Sequence, residues 1–189
     1  MMMIGYFILA YLLGSLMSGF IIVRILGKKD IRVEGSGNVG ARNAGRVHGK
    51  TSFVLTFLGD ALKGALVIFA GRYLEFSPEI LLVGLGFAIL GHLKPITLKF
   101  KGGMGISTFI GGMLAFEPIL AVVIIAGFIL FFPFFKSFTF AGLGSFMLIP
   151  FAIYFLEGAI GISLMAGVLV LIILFVHRVD IMERLNKKA

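Results

Sequence analysis

Seven long apolar runs set the limits on how this chain can fold. The 189 residues are 59% hydrophobic, with a mean hydropathy of +1.10. An apolar helix of about 20 residues crosses the roughly 30 Å hydrocarbon core of a bilayer, and only helices or closed barrels can do so. The sequence therefore predicts an all-α, polytopic membrane protein with seven transmembrane helices: Ile4–Leu26, Thr51–Ala70, Pro78–Gly91, Ile106–Phe116, Pro118–Phe135, Phe138–Leu156 and Ala159–Val176.

Charge predicts the orientation of these spans. With the N-terminus outside, seven spans place every basic residue except Lys63 and Arg72 on one side, together with the C-terminus. The opposite loops carry acidic residues: Glu75, Glu79, Glu117 and Glu157. Because cytoplasmic loops are enriched in Lys and Arg, we expect the C-terminus in the cytoplasm. Ile106–Phe116 is short for a span, but making it re-entrant would destroy this separation. No linker or repeat divides the chain, so residues 1–189 are interpreted as one domain.

Composition also excludes several classes of chemistry. The chain has no Cys, which rules out disulfides and thiol catalysis, and its three His form no HExxH-type cluster. We therefore expect no metal and no cofactor. The net charge of +8 is accounted for by cytoplasmic loops, so membrane lipids, and not nucleic acids, are the expected partners. The oligomeric state is not predicted.

Two glycine-rich basic segments interrupt the apolar pattern. The first, Glu34–Lys50, reads EGSGNVGARNAGRVHGK, and the second, His92–Thr108, contains FKGGMG. Glycine allows backbone N–H groups to approach an anion closely, and Arg adds forked donors that match phosphate oxygens. Two such segments next to helix ends are more specific than one. They predict phosphate binding, although loops that only fix topology and touch headgroups are the alternative.

Two features inside the spans have both structural and functional interpretations. Gly14, Ser15, Ser18 and Gly19 have the spacing of a close helix-packing face. Asp60 and Lys63 are charges within a span, which usually face a bundle interior or a polar cavity. They could pair with each other at i and i+3 or face a site, and the sequence favours neither. They also raise the alternative of a transporter, against which stand the absence of a repeated half and the clustering of polar motifs at one face.

Three motifs together resemble the bacterial acyl-phosphate:glycerol-3-phosphate acyltransferases, the PlsY family. They are GSGNxGxxNxxR at Gly35–Arg46, GHxxPxxxxFKGG at Gly91–Gly103, and a version of HRxxIxRL at His177–Leu185 in which Glu183 is a spacer. Length, span number and topology agree along the whole chain. The resemblance implies a bacterial inner-membrane enzyme, with its active site facing the cytoplasm, for phospholipid synthesis. It would transfer a fatty acyl group from acyl phosphate to glycerol 3-phosphate, giving lysophosphatidic acid.

The resemblance also implies roles for individual residues. Ser36, Arg46 and His177 would be catalytic, with His177 as a base, a structural hydrogen-bonding group, or neither if a phosphate oxygen takes the proton. The other residues would bind substrate: Gly37, Asn38, Gly40, Arg42, Asn43, His92, Lys101, Gly102, Gly103, Met104, Gly105, Arg178 and Asp180. Backbone N–H groups and cations would stabilise the leaving phosphate and the acyl oxyanion. An apolar groove between spans, formed by the Phe-rich later helices, would hold the acyl chain.

Three positions depart from the family pattern. Met104 stands where the family usually has Lys, Asp180 where it has Asn, and Arg42 where it has Thr. Loss of an ammonium removes a charge-assisted bond, and an added carboxylate near phosphate repels it unless Arg178 or Arg184 pairs with it. The changes are compatible with another phosphate-bearing or polyol acceptor, or with a catalytically weakened lipid- or phosphate-binding relative.

Overall fold

The computed structural model describes residues 1–27 and 29–186, and the side chain of Leu185 is not included. Lys28, Lys187 and Lys188, which the charge pattern assigns to the basic side, lie outside the described residues. The described chain contains ten α-helices and no strand. The helices are α1 Met2–Gly14, α2 Ser18–Gly27, α3 Ala41–Tyr73, α4 Pro78–Leu93, α5 Ile106–Phe116, α6 Leu120–Phe135, α7 Phe138–Phe146, α8 Ile149–Glu157, α9 Ile160–Val176 and α10 Arg178–Asn186.

Helices fall at every predicted span, but four or five of them are long and apolar enough to cross a membrane. Met2–Gly27, Ala41–Tyr73, Pro78–Leu98 and Phe138–Glu157 meet that criterion, and α9 with α10 meets it as a pair bent by 61°. Helices α5 and α6 are apolar but shorter. The all-helical membrane architecture is thus confirmed, while seven spans and the orientation of the termini stay predictions.

Several predicted spans are interrupted. The first run is helical to Gly14 and again from Ser18, with non-helical residues between. Helix α3 is longer than Thr51–Ala70 and bends at His48 and Gly49, where φ of Gly49 is +85°. The sixth run divides into α7 and α8, and Pro150 stands in the first turn of α8, where its missing N–H costs no helical bond.

The chain forms two compact units, Met1–Phe116 and Glu117–Ala189. In the first unit, small residues bring helices close together. A Cβ at Gly14 would overlap the carbonyl of Ala88 in α4, and one at Gly64 in α3 would overlap the carbonyl of Thr108 in α5. The packing role predicted for Gly14, Ser15, Ser18 and Gly19 is confirmed, because these residues face Ala88, Gly91, Gly59 and Val39.

In the second unit, helices α6 and α7 pack together through aromatic side chains. The rings of Phe128, Phe132 and Phe138 lie with their centroids 5.3–5.5 Å apart. Helix α9 packs on α8, where Ser163 Oγ donates a 2.6 Å hydrogen bond to the carbonyl of Pro150. That residues 1–189 act as a single domain stays a prediction.

Candidate functional site: two glycine-rich loops before helix N-termini

The first glycine-rich loop is folded around the side chain of Asn43. The Asn43 Oδ1 accepts a 2.9 Å hydrogen bond from the backbone N–H of Ser36. Its Nδ2 donates to the carbonyls of Glu34 and Asn38, both at 2.9 Å. Gly35, with φ of +60°, lies so close that a Cβ would overlap Asn43 Oδ1. Asn43 is 3% exposed, so its buried amide holds the loop backbone in place through these hydrogen bonds.

The other predicted residues of this loop lie nearer to solvent. Asn38 Oδ1 accepts a 2.8 Å hydrogen bond from the N–H of Gly40, which is the cap residue of α3. Ser36, Arg42 and Arg46 are exposed, and Gly37, Asn38 and Gly40 are half-buried. The loop thus runs directly into a helix N-terminus, where unpaired N–H groups and the helix dipole favour an anion.

An exposed ion pair between Asp30 and Arg32 lies just before the first glycine-rich loop. Arg32 donates to both carboxylate oxygens of Asp30, through Nε at 2.9 Å and through a terminal nitrogen at 2.6 Å. These hydrogen bonds, with a further one from the backbone N–H of Arg32, lower the pKa of Asp30 to about 2. Asp30 therefore stays ionised and fixes the short 3-10 turn Ile31–Val33 that leads into the glycine-rich segment.

The second glycine-rich loop is bound to the end of α4. The N–H of Gly103 donates a 3.0 Å hydrogen bond to the carbonyl of His92. Lys99 and Phe100 both adopt positive φ, at 52° and 61°, a conformation that costs free energy in non-glycine residues. Gly103 and Gly105 are buried, Gly102 and Met104 are half-buried, and Lys101 is exposed. With φ of +82°, Gly105 turns the chain into the N-terminus of α5.

One apolar cluster joins the two loops. It contains Ile31 from the turn before the first loop, Val39 and Ala44 from that loop, and Leu98 from the second loop. Met17 and Val23 complete it. Both glycine-rich loops are therefore held at the same end of the first unit, each in front of a helix N-terminus.

Behind the loops lies a buried polar cluster. Lys63 Nζ is 3.0 Å from Asp60 Oδ1 and 3.0 Å from His92 Nδ1. It also donates to the carbonyls of Gly14, at 3.0 Å, and Leu16, at 2.7 Å. Pairing of Asp60 with Lys63 is thus observed, and Lys63 in addition contacts His92, a predicted substrate-binding residue.

The remaining predicted residues belong to the second unit. His177 is 2% exposed, and its Nδ1 lies 2.9 Å from the carbonyl of Ile173. Arg178 donates a 3.0 Å hydrogen bond to the carbonyl of Phe175 and lies over that ring. Arg184 donates to the carbonyl of Phe135. In the described part of the chain Asp180 forms no ion pair with Arg178 or Arg184, so the pairing that could offset its charge is not observed.

Sequence reasoning missed two residues that hold this region together. Thr97 Oγ1 donates a 2.6 Å hydrogen bond to the carbonyl of Ser15, at the break in the first span. Thr108 Oγ1 lies 3.4 Å from His92 Nδ1. Only the position of Thr108 in the first turn of α5, after the FKGGMG segment, could have drawn attention to it.

The helical fold and the paired loops define a class: an integral membrane protein with two glycine-rich loops, each before a helix N-terminus. Comparison with known proteins narrows this class. The family model for glycerol-3-phosphate acyltransferases matches residues 4–187. The chain belongs to the glycerol-3-phosphate acyltransferase family.

Individual relatives agree over nearly the full chain. Glycerol-3-phosphate acyltransferase 1 of Bacillus cereus is 42% identical over 173 residues, covering 92% of this chain and 95% of that protein. The Desulfitobacterium hafniense protein of the same name is 37% identical over 180 residues, covering 95% and 89%. The crystal structure of PlsY (YgiH), an integral membrane glycerol 3-phosphate acyltransferase, in its glycerol 3-phosphate form has a TM-score of 0.89 at 30% identity, covering 99% of this chain and 94% of that one.

Proposed function

We propose that this protein transfers a fatty acyl group from acyl phosphate to the 1-hydroxyl of glycerol 3-phosphate, forming lysophosphatidic acid. The main support for this proposal is the pair of glycine-rich loops, each of which leads into a helix N-terminus and which one apolar cluster joins. Such loops bind phosphate groups. Each substrate carries one phosphate group, so two loops match the demand. The similar structures include glycerol 3-phosphate and lysophosphatidic acid forms of PlsY.

The reaction itself requires positioning and charge stabilisation. The hydroxyl oxygen forms an ester bond to the acyl carbon while the bond between that carbon and the phosphate oxygen breaks, and inorganic phosphate leaves. Holding the acyl phosphate, a mixed anhydride, beside the phosphate ester glycerol 3-phosphate orients the hydroxyl toward the acyl carbon and so lowers the barrier. The loop N–H groups with Ser36, Arg46 and Lys101 stabilise the leaving phosphate and the developing oxyanion. Gly37, Asn38, Gly40, Arg42 and Asn43 form the first phosphate loop, and His92 with residues 102–105 forms the second.

We assign the proton transfer to His177. Its Nδ1 faces a backbone carbonyl, which can only accept, so Nδ1 carries the proton and Nε2 keeps a lone pair. A lone pair is what a general base needs. Arg178 follows it in the same motif and is proposed as a substrate ligand, with Asp180 as the neighbouring carboxylate that tunes acceptor choice.

The proposal includes a topology of seven spans with the N-terminus outside and the C-terminus in the cytoplasm of a bacterium. The charge separation supports it, because both loops and the C-terminal segment then share the basic side. The site accordingly opens to the cytoplasm, where soluble glycerol 3-phosphate is available, while the acyl chain lies among membrane lipids.

The test is turnover by the purified protein in lipid, supplied with acyl phosphate and glycerol 3-phosphate. We expect lysophosphatidic acid and inorganic phosphate in equal amounts. Arg46→Met should lose activity, whereas Lys50→Met, an exposed cation one turn further on, should not. Absence of product from the native chain, with product from Met104→Lys, would show that the native sequence is catalytically weakened. Activity confined to another polyol phosphate would replace glycerol 3-phosphate as the acceptor.

A further inference from the structure

Lys63 lies in an almost sealed environment in the middle of α3. It is 3% exposed, its neighbour Asp60 is fully buried, and His92 is 2% exposed. Four acceptors surround its ammonium group: the carbonyls of Gly14 and Leu16, the Asp60 carboxylate and the His92 imidazole. An ammonium has three hydrogens to donate, so their distribution among these acceptors can be worked out.

Two of the three hydrogens go to the backbone carbonyls, which can only accept. The Asp60 carboxylate, 3.0 Å away, favours the charged ammonium, which has no lone pair and cannot accept. Asp60 Oδ1 and His92 Nδ1 both lie 3.0 Å from Nζ, so the third hydrogen is directed between them. Because an ammonium has no lone pair, it cannot accept from an Nδ1–H, so His92 Nδ1 presents its lone pair to Lys63.

This arrangement decides where the His92 ring carries its proton. Because Nδ1 accepts from Lys63, and Thr108 Oγ1 also faces it at 3.4 Å, the proton of the neutral ring is on Nε2. Nε2 lies against the second glycine-rich loop: a Cβ at Gly103 would overlap it. His92 thus presents a donor, and not a lone pair, toward the loop.

We infer that Asp60 and Lys63 are positioning residues that lock His92 in the Nε2–H tautomer, so that His92 donates a hydrogen bond to the phosphate group held by Gly102–Gly105. The identity of that phosphate as acyl phosphate or glycerol 3-phosphate rests on the proposed function. The tautomer does not, because it follows from the contacts of Lys63 alone. A neutral donor suits the inner wall of such a site, because it adds a hydrogen bond without burying another charge.

The test of the lock is ¹⁵N NMR of histidine-labelled protein in lipid at neutral pH, where protonated and unprotonated ring nitrogens resonate in separate ranges. A His92→Gln sample identifies the His92 signals among the three histidines. We expect a protonated Nε2 and an unprotonated Nδ1 in the native protein.

The double variant Asp60→Asn/Lys63→Met tests the cause of this tautomer. It removes both charges together, so that neither is left buried without its partner, and it should give a mixture of the two His92 tautomers. Arg72→Met is the matched control, since Arg72 also lies on α3 and donates to the end of α5; it should leave His92 unchanged.

Kinetics then separates positioning from a purely structural role. The double variant should raise KM for one phosphate substrate about 10-fold to 100-fold, the loss expected for a hydrogen bond to a charged group, with a smaller change in kcat. A native Nδ1–H tautomer, or a double variant with the native tautomer, overturns the inference. A native Nε2–H tautomer that is lost in the double variant upholds the lock even if the protein makes no lysophosphatidic acid, in which case the proposed function fails by itself.

Discussion

His92 and His177 occupy similar surroundings, but the Nε2 of His92 is a hydrogen-bond donor and the Nε2 of His177 is an acceptor. Each is 2% exposed, and each lies at the C-terminal end of an apolar helix, α4 for His92 and α9 for His177. His92 Nδ1 accepts from the ammonium of Lys63, whereas His177 Nδ1 donates to the carbonyl of Ile173. His92 is left with a donor on Nε2, and His177 with an acceptor.

The difference shows that burial and helix position do not determine what a histidine can do. The partner of one ring nitrogen fixes the state of the other. His177 receives its partner from its own helix, four residues earlier, so its tautomer is local. His92 receives its partner from a charge 29 positions away in sequence, so its tautomer depends on the packing of α3 against α4.

The largest expected effect comes from removing the acceptor of His177. His177→Asn keeps an N–H near the Ile173 carbonyl but has no basic nitrogen. If His177 is the base, kcat should fall about 10²-fold to 10⁴-fold, with KM little changed, in the acyl phosphate assay. If kcat falls by less than a few-fold, a substrate phosphate oxygen accepts the proton instead, and His177 has only a structural role.

Removing the donor of His92 should cost less. His92→Leu should lower kcat/KM about 10-fold to 100-fold, as expected for one hydrogen bond to an anion. His92→Gln can present an N–H near the position of Nε2 and should recover most of that loss. Equal loss in both variants would mean that His92 fills space and does not donate, and the contrast with His177 would disappear.

The third test displaces the loop that faces His92 and leaves the ring intact. Gly103→Ala places a methyl group where His92 Nε2 lies, and overpacking of this kind costs about 1–3 kcal/mol. Gly142→Ala, in α7, meets nothing within 4 Å and should raise stability by about 0.5–1 kcal/mol. Thermal unfolding in detergent measures both, and an unaffected Gly103→Ala would contradict the close approach of the loop.

The smallest effect is expected from breaking the exposed ion pair between Asp30 and Arg32, which serves as a comparison for the buried groups. Hydrogen bonds from Arg32 lower the pKa of Asp30 to about 2, so its stabilisation is complete above the pKa of about 3.9 expected for an unfolded Asp and is lost as pH falls toward 2. Asp30→Asn should therefore lower stability at pH 6 by less than about 1 kcal/mol. The difference from the native protein should shrink below pH 4, in unfolding midpoints measured across that range. A constant difference would exclude the ion pair as its cause.

Much of the architecture could be predicted because apolar runs and helix boundaries are local properties of a sequence. Helix α5 begins and ends where the pattern places it, at Ile106 and Phe116. The break after Gly14 could not be predicted, since it is stabilised by two residues much later in the chain, Lys63 and Thr97, which donate hydrogen bonds to its carbonyls. A run of apolar letters gives no sign of this.

The candidate site divides in the same way. The glycine-rich loops are visible in sequence because glycine and cation content is a composition signal. The role of Asn43 as the loop's internal scaffold is not visible, because it depends on four contacts that form only when the loop is closed. The contact of Lys63 with His92 likewise needs α3 and α4 side by side.

The interrupted first span has a consequence for biosynthesis. Three successive carbonyls at the break, of Gly14, Ser15 and Leu16, accept hydrogen bonds from Lys63 and Thr97. Those residues leave the ribosome long after the first span does, and lipid offers no substitute partner for a backbone carbonyl. The first segment to be made therefore reaches its final conformation only after α3 and the turn that follows α4, which carries Thr97, have been made.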